Sequence, residues 1–396
     1  MNTEEWNFKK ILGDTVNRNF GLMFLTYFVF VSSNESLIPT LPIFLSRLGT
    51  NERDIGVLLG VFAISSMISR FFVGRALNRY SEKSVLTVSA LVLMAVFLCF
   101  IVLRTFWFIL IIRIIQGIAY AFFHTTAFTY SINISSADHR AQNIAYFMIA
   151  PNIAAAIVAP LSVFLFDRYS STVLFLFGFC LYACTLLLVW NVRKENDSTY
   201  QNKSEDQRVY LVEWRIIIPA LTSFLQVFVF GAMAAFFPLY AIQCGVKNPG
   251  FFFSINAMAI IAGRIFSGKI LRVYSKEKII PLFLSLSVIA MTILAISKTF
   301  PLFALAGLLL GIGVAFFMPA TMAYSLEYAG SSSGTAVGTY QALIDLGLAI
   351  GPPIMGVIIP FAGYRVMFLC LAFICFISLC YFQFYVKRKA KIVEVR

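Results

Sequence analysis

RIIQGIAYAFFH, residues 113–124, lies inside an apolar run that extends from residue 107 to residue 134. That run is longer than an ordinary core helix and long enough to cross a bilayer. Arg113, Gln116, Tyr120 and His124 recur at spacings of three, four and four, which puts them on one stripe of a helix. An arginine in hydrocarbon costs roughly 2.5–3.5 kcal/mol on insertion scales, so it faces a water-filled cavity or a partner. A polar seam that merely joins helices would show the same spacing. We read the stripe as one wall of a pathway.

The surrounding chain fits that reading. It has 396 residues, of which 60% are hydrophobic and 12% charged, a membrane-class composition. The net charge of +13 invites a nucleic-acid reading, but the basic residues are placed otherwise. Of the 31 Lys and Arg, 21 lie in segments on the side of the two termini, seven on the opposite side and three within spans. This positive-inside bias predicts a cell-membrane protein with both termini cytoplasmic, in contact with lipid and not with nucleic acid. Residues 1–18 are polar and lack a cleavable signal pattern.

Twelve runs of spanning length are predicted at 20–46, 52–77, 84–104, 107–134, 141–167, 171–192, 214–243, 250–271, 279–298, 300–329, 335–361 and 364–386. The fold class is therefore an all-α membrane protein of twelve transmembrane helices. The polar stretch 193–213 divides the spans six and six, as a cytoplasmic linker with a short amphipathic piece at its end. The halves are 1–192 and 214–396, the second with a short basic tail.

The halves repeat at an offset of 194. Arg70 matches Arg264, Gly74 matches Gly268 and Tyr80-Ser81 matches Tyr274-Ser275. Gly117 matches Gly311, Ala121-Phe122-Phe123 matches Ala315-Phe316-Phe317, and Tyr146 matches Tyr340. Parallel repeats of this kind build transporters whose substrate site lies between the halves at the midplane.

Candidate functional residues follow from their cost in lipid. Asn34 and Glu35 sit near the middle of span 1, and a carboxylate there must be paired or protonated. At about 1.5 Å per residue, Glu35 lies roughly 16 Å and Arg113 roughly 9 Å below their outer ends, within side-chain reach if spans 1 and 4 are neighbours. A structural salt bridge is one reading; the other is a proton-carrying Glu35 with Arg113 as its charge partner. Asp345 in span 11 is the other deep carboxylate and a partner for Arg70. His124 is either a packing group or a proton relay. Gln116, Tyr120, Asn34 and Gln226 are expected to supply polar cavity contacts, with Phe230, Phe237 and Phe317 as apolar walls. Arg70, Gly74, Asn78, Arg264 and Gly268, at the ends of spans 2 and 8, are expected to gate the cytoplasmic side. Gly347, Gly351 and Gly356 form a small-residue face for close helix approach in span 11.

No P-loop, nucleophile–histidine pair or metal-ligand cluster stands in the sequence. No enzyme, cofactor or metal is expected. The seven cysteines mostly read as small hydrophobes, and a disulfide is not expected.

These motifs resemble the major facilitator superfamily along essentially the whole chain. Residues 74–86, GRALNRYSEKSVL, resemble the family's loop 2–3 signature, with Asn78 where an aspartate is usual. Residues 113–121, RIIQGIAYA, are similar to the span 4 signature of drug–proton antiporters, a resemblance that assigns proton coupling to Arg113. The small-residue antiporter signature of span 5 is reduced to Ala155, Ala159 and Pro160 and is cleaner in span 11 at 347–356. QGIAYAFF, VFGAMAAFFPLY and DLGLAIGPPIMG also resemble bacterial opine-metallophore exporters, and such motifs are shared with multidrug exporters. The resemblance implies alternating access and a monomer that exports a small amphipathic drug or metallophore in exchange for protons. Import of a nutrient, or a non-transporting sensor or lipid-handling role, are the competing expectations.

Overall fold

The structure is a computed structural model that describes residues 18–102, 104–135, 140–192, 214–327 and 333–386. The linker 193–213 with its amphipathic piece, the basic tail and His139 lie outside the described residues. Among the described residues, eleven helices are long and apolar enough to cross a membrane. The last runs through two predicted spans, with a break at Gly363 (φ 77°, ψ 169°). That left-handed φ is open to glycine at no steric cost, so the chain reverses there without a separate loop. Spans 1–4 are Arg18–Arg47, Glu52–Leu77, Glu82–Val102 and Phe106–Asn133.

Span 5 is expected as one run but forms two pieces, Arg140–Phe147 and Ala150–Arg168. Pro151 explains the break: it has no N–H to donate, and its ring crowds the preceding turn. Span 6 is Ser171–Asn191, and spans 7–10 are Trp214–Gln243, Gly250–Val273, Lys276–Ile296 and Phe300–Glu327. Spans 11 and 12 share Ser333–Cys380, followed by a π-helical turn, Tyr381–Val386.

Spans 3, 6, 9 and 12 carry exposed apolar side chains, among them Val88, Leu187, Leu282 and Phe373. In water such faces would associate; in a bilayer they need no cover. Inside, the first half is built on stacked rings, with Phe30 on Phe123 and Tyr27 on Phe147, each pair 4.0 Å apart.

The repeat is visible in the packing. A Cβ on Gly117 would lie 2.4 Å from the Phe62 carbonyl oxygen, and one on Gly311 would lie 2.4 Å from that of Asn256. Phe62 and Asn256 are themselves 194 residues apart, so span 4 meets span 2 as span 10 meets span 8. Between halves, span 2 packs on span 11 and span 8 on span 5. Equivalent glycines make these contacts possible: a Cβ on Gly56 would lie 2.5 Å from the Pro352 oxygen, and one on Gly250 2.5 Å from the Ala159 oxygen.

These inter-half contacts lie at the end opposite Arg18 and Val386, the first and last described residues, which mark the termini end. Tyr364 Oη also donates there to Glu52 Oε1 at 3.2 Å, and Asn248 Nδ2 donates to the Pro160 carbonyl at 3.0 Å. At the termini end Gly74 and Gly268, expected among the gating residues, meet no opposing element, since nothing lies within 4 Å of a Cβ on either. No backbone opposes these two glycines, although Arg70–Asp345 and Arg264–Met148 still join the halves nearby. Gly347 and Gly351 do allow close approach, to the carbonyls of Phe224 and Phe228 in span 7.

Candidate functional site: a charged cavity between the halves

Spans 1, 2, 4, 7 and 11 enclose a cavity of about 320 Å³. Asn34, Glu35, Arg70, Arg113, Tyr120, Phe230 and Asp345 line it, so seven of the sequence candidates converge on one space. The backbone periodicity of span 2 brings Leu59, Phe62, Ala63, Ser66 and Arg70 to the same wall.

Arg113 is buried, and its guanidinium is held by neutral groups. Nε donates to the Leu58 carbonyl at 3.0 Å, Nη1 donates to Gln116 Oε1 at 2.8 Å, and Cζ sits 4.4 Å from the centroid of the Phe62 ring. The expected Glu35–Arg113 ion pair is not formed in this state. The arginine is turned toward span 2 and one turn along its own helix. Glu35 makes no ion pair or hydrogen bond among the described residues, and it lies open to the cavity. A carboxylate this deep with no cationic partner is either protonated or hydrated, since an uncompensated charge in low dielectric is costly.

Arg70 and Asp345 form the expected pair across the halves. Nη1 lies 2.8 Å from Oδ2, and Gln341 Nε2 donates to Oδ1 at 3.2 Å. The repeat-equivalent Arg264 has no carboxylate opposite it, because position 151, which matches Asp345, is proline. Its Nη1 instead donates to the Met148 carbonyl at 3.2 Å, again in the other half. Asn78 is exposed at the end of span 2, where its backbone N–H closes the helix on the Gly74 carbonyl.

Other candidates lie off this cavity. Gln116 is fully buried as the anchor of Arg113. His124 Nε2 shares a 3.0 Å hydrogen bond with Tyr27 Oη, behind the wall formed by Tyr120. Gln226 turns toward Cys375 Sγ at 4.0 Å, with Nε2 buried and unpartnered. Phe237 packs on Phe252 and Phe303, and Phe317 is buried in a cluster with Ile279 and Tyr324. Both phenylalanines are core residues, and only Phe230 of the expected apolar walls reaches the space. Phe62 was missed. The signal for it is its helical spacing of four and eight from Ser66 and Arg70. Among the described residues no cluster of three or more His, Cys, Asp or Glu has metal-site geometry.

Two six-helix halves related by a repeat, closed by spans 2, 5, 8 and 11 around a central polar cavity, define a transporter architecture. The family model of the Major Facilitator Superfamily matches residues 23–299 and 250–394. The chain belongs to this superfamily. It is a multi-pass membrane transporter, not an enzyme. It is 24% identical over 361 residues to the quinolone resistance protein NorA of Staphylococcus aureus, covering 86% of this chain and 90% of that one. It is 24% identical over 376 residues to the staphylopine export protein of the same species, covering 88% and 91%. In structure it is similar to the nucleoside transporter NupG (D323A mutant), with a TM-score of 0.79 at 13% identity, over 92% of this chain and 98% of that chain.

Proposed function

We propose that this transporter is a proton-coupled exporter of a small amphipathic molecule, residing in the cell membrane with both termini cytoplasmic. The observation that carries the proposal is the cavity itself, where Glu35 stands without a partner while Arg113 is fixed by neutral groups a short distance away. A carboxylate in that position exchanges a proton with changes in hydration and in nearby charge. Glu35 is the titrating group, and Arg113 sets the positive potential it feels. Asn34 and Tyr120 offer polar contacts to substrate, and Phe230 and Phe62 apolar ones.

The state described has the distal side closed by backbone packing. At the termini end, Arg70–Asp345 lines the cavity and joins the halves, and Arg264 joins them again on the Met148 carbonyl. Rocking of residues 1–192 against 214–396 exchanges these closures, with Arg70–Asp345 as the inter-half gate. The substrate class is supported by the sequence likeness to NorA and to the staphylopine export protein. The test is uptake into inside-out vesicles under an imposed proton gradient, with cationic dyes, tetracycline and a metallophore extract as probes. Accumulation that collapses with a protonophore supports export. Uptake only in right-side-out vesicles would reverse the direction, and no movement of any probe would remove the proposal's support.

A further inference from the structure

Outside the central cavity, the first half carries a second space on its lipid-facing side. A groove of about 430 Å³ runs between spans 2, 3 and 4, lined by apolar residues that include Val85, Val88, Val92, Ile115 and Phe122. Next to it is a polar pocket of about 390 Å³ lined by Ser81, Lys83, Ser84, Thr87, Val88 and Trp190. Ser84 and Val88 line both, so the two chambers adjoin along span 3. From Ser84 to Val92 the groove extends about 12 Å along span 3.

The repeat shows where the groove comes from. Ser89 and Phe122, both in its lining, correspond at the 194-residue offset to Phe283 and Phe316. In the second half those two rings are buried and stacked, 4.3 Å apart with planes 4° from parallel. Serine at position 89 removes one ring of that stack and leaves its volume open. The charge changes as well: Lys83 corresponds to Glu277.

Lys83 is positioned rather than free. Its Nζ donates to the Trp190 carbonyl at 2.6 Å and the Val192 carbonyl at 3.0 Å. An ammonium has three protons, so one remains for the pocket beside the hydroxyls of Ser81, Ser84 and Thr87. Tyr80 and Trp190 are exposed at the same level, the aromatic pair expected at a headgroup plane. Glu82, the nearby carboxylate, is engaged by Asn133 Nδ2 at 3.0 Å. Arg75 and Arg79 are exposed on the adjoining turn and leave the local field positive.

We propose that this two-chamber space is a binding site for one anionic phospholipid. One acyl chain lies in the Ser89 groove, and the phosphate accepts hydrogen bonds from Lys83 and the span 3 hydroxyls. The apolar chamber opens to lipid and the polar one to the headgroup layer, so a soluble anion would satisfy only half of the site.

The full-length protein reconstituted in equal parts phosphatidylglycerol and phosphatidylcholine, then extracted and washed in mild detergent, tests this by the lipid it retains. Wild type is expected to hold about one phosphatidylglycerol per chain. Ser89→Phe, which restores the packing used by the other half, is expected to reduce this at least about tenfold with gel-filtration behaviour unchanged. Val92→Phe fills the same groove independently. Lys83→Gln is expected to keep a lipid but lose the preference for phosphatidylglycerol. Equal retention by Ser89→Phe, Val92→Phe and wild type would overturn the proposal. So would equal retention of both headgroups by wild type, or displacement of the retained lipid by a cationic dye.

Discussion

Arg70 Nη1 and Asp345 Oδ2 are 2.8 Å apart, although the residues lie in different halves and one turn of neither helix is shared. The pair therefore exists only in states where spans 2 and 11 are close at the termini end. Its repeat counterpart, Arg264 on the Met148 carbonyl, has no carboxylate. The contact between the halves is ionic on one side of the pseudo-twofold axis and neutral on the other.

Asp345→Asn should weaken this closure by about 1.5–3 kcal/mol, the usual worth of a hydrogen bond to a charged group. Thiol labelling of a cysteine placed at Ser66 in the cavity, added from the termini side, should accelerate. The double exchange Arg70→Asp with Asp345→Arg should restore the slow rate. Equal labelling in Asp345→Asn and wild type would mean that the pair does not hold the gate.

At the opposite end, closure rests on backbone approach. A side chain on Gly56 would run into the Pro352 carbonyl. Gly56→Leu is expected to force the distal ends apart, giving a longer population between spin labels at Arg53 and Arg365. Gly74→Ala, which meets nothing in this state, should leave that distance distribution unchanged. A distribution in Gly56→Leu that matches wild type would contradict the closure described.

Within each half the equivalent glycines are structural. Gly117→Ala and Gly311→Ala each press a methyl group onto a carbonyl oxygen, and overpacking of this kind costs about 1–3 kcal/mol. Both should lower the melting temperature in detergent by similar amounts. A loss confined to one of them would show that the halves are not packed alike.

Arg113→Lys keeps the charge but gives up the planar contact with Phe62 and the fork that reaches both Leu58 and Gln116. Stacking of this kind is worth about 0.5–2 kcal/mol. We expect transport to fall in Arg113→Lys and, less steeply, in Phe62→Leu. His124→Asn should leave proton coupling intact, because His124 bonds to Tyr27 and does not line the cavity. Loss of coupling in His124→Asn would return it to the proton path.

The fold was legible because span length and a repeat are written directly in residue type. The offset of 194 that aligns Gly117 with Gly311 also aligns the carbonyls they approach. The Arg70–Asp345 pair was legible because few charges lie deep and opposite charges must be compensated. Less legible were the details set by rotamers and by state. Arg113 reaches the Leu58 carbonyl and not Glu35 through its rotamer, and no spacing encodes that choice. Phe237 and Phe317 sit on plausible faces, but an aromatic stripe has the same period whether it meets a cavity or a neighbouring helix. The break in span 5 was marked by Pro151, and the apolar run on either side concealed it.

The most direct test of the account is proton release from inside-out vesicles on addition of a transported probe, comparing wild type with Glu35→Gln. The account predicts substrate-coupled proton movement in wild type and its loss in Glu35→Gln, with probe binding retained. Coupled proton movement that survives in Glu35→Gln would contradict it and move the search for the carrier to Asp345.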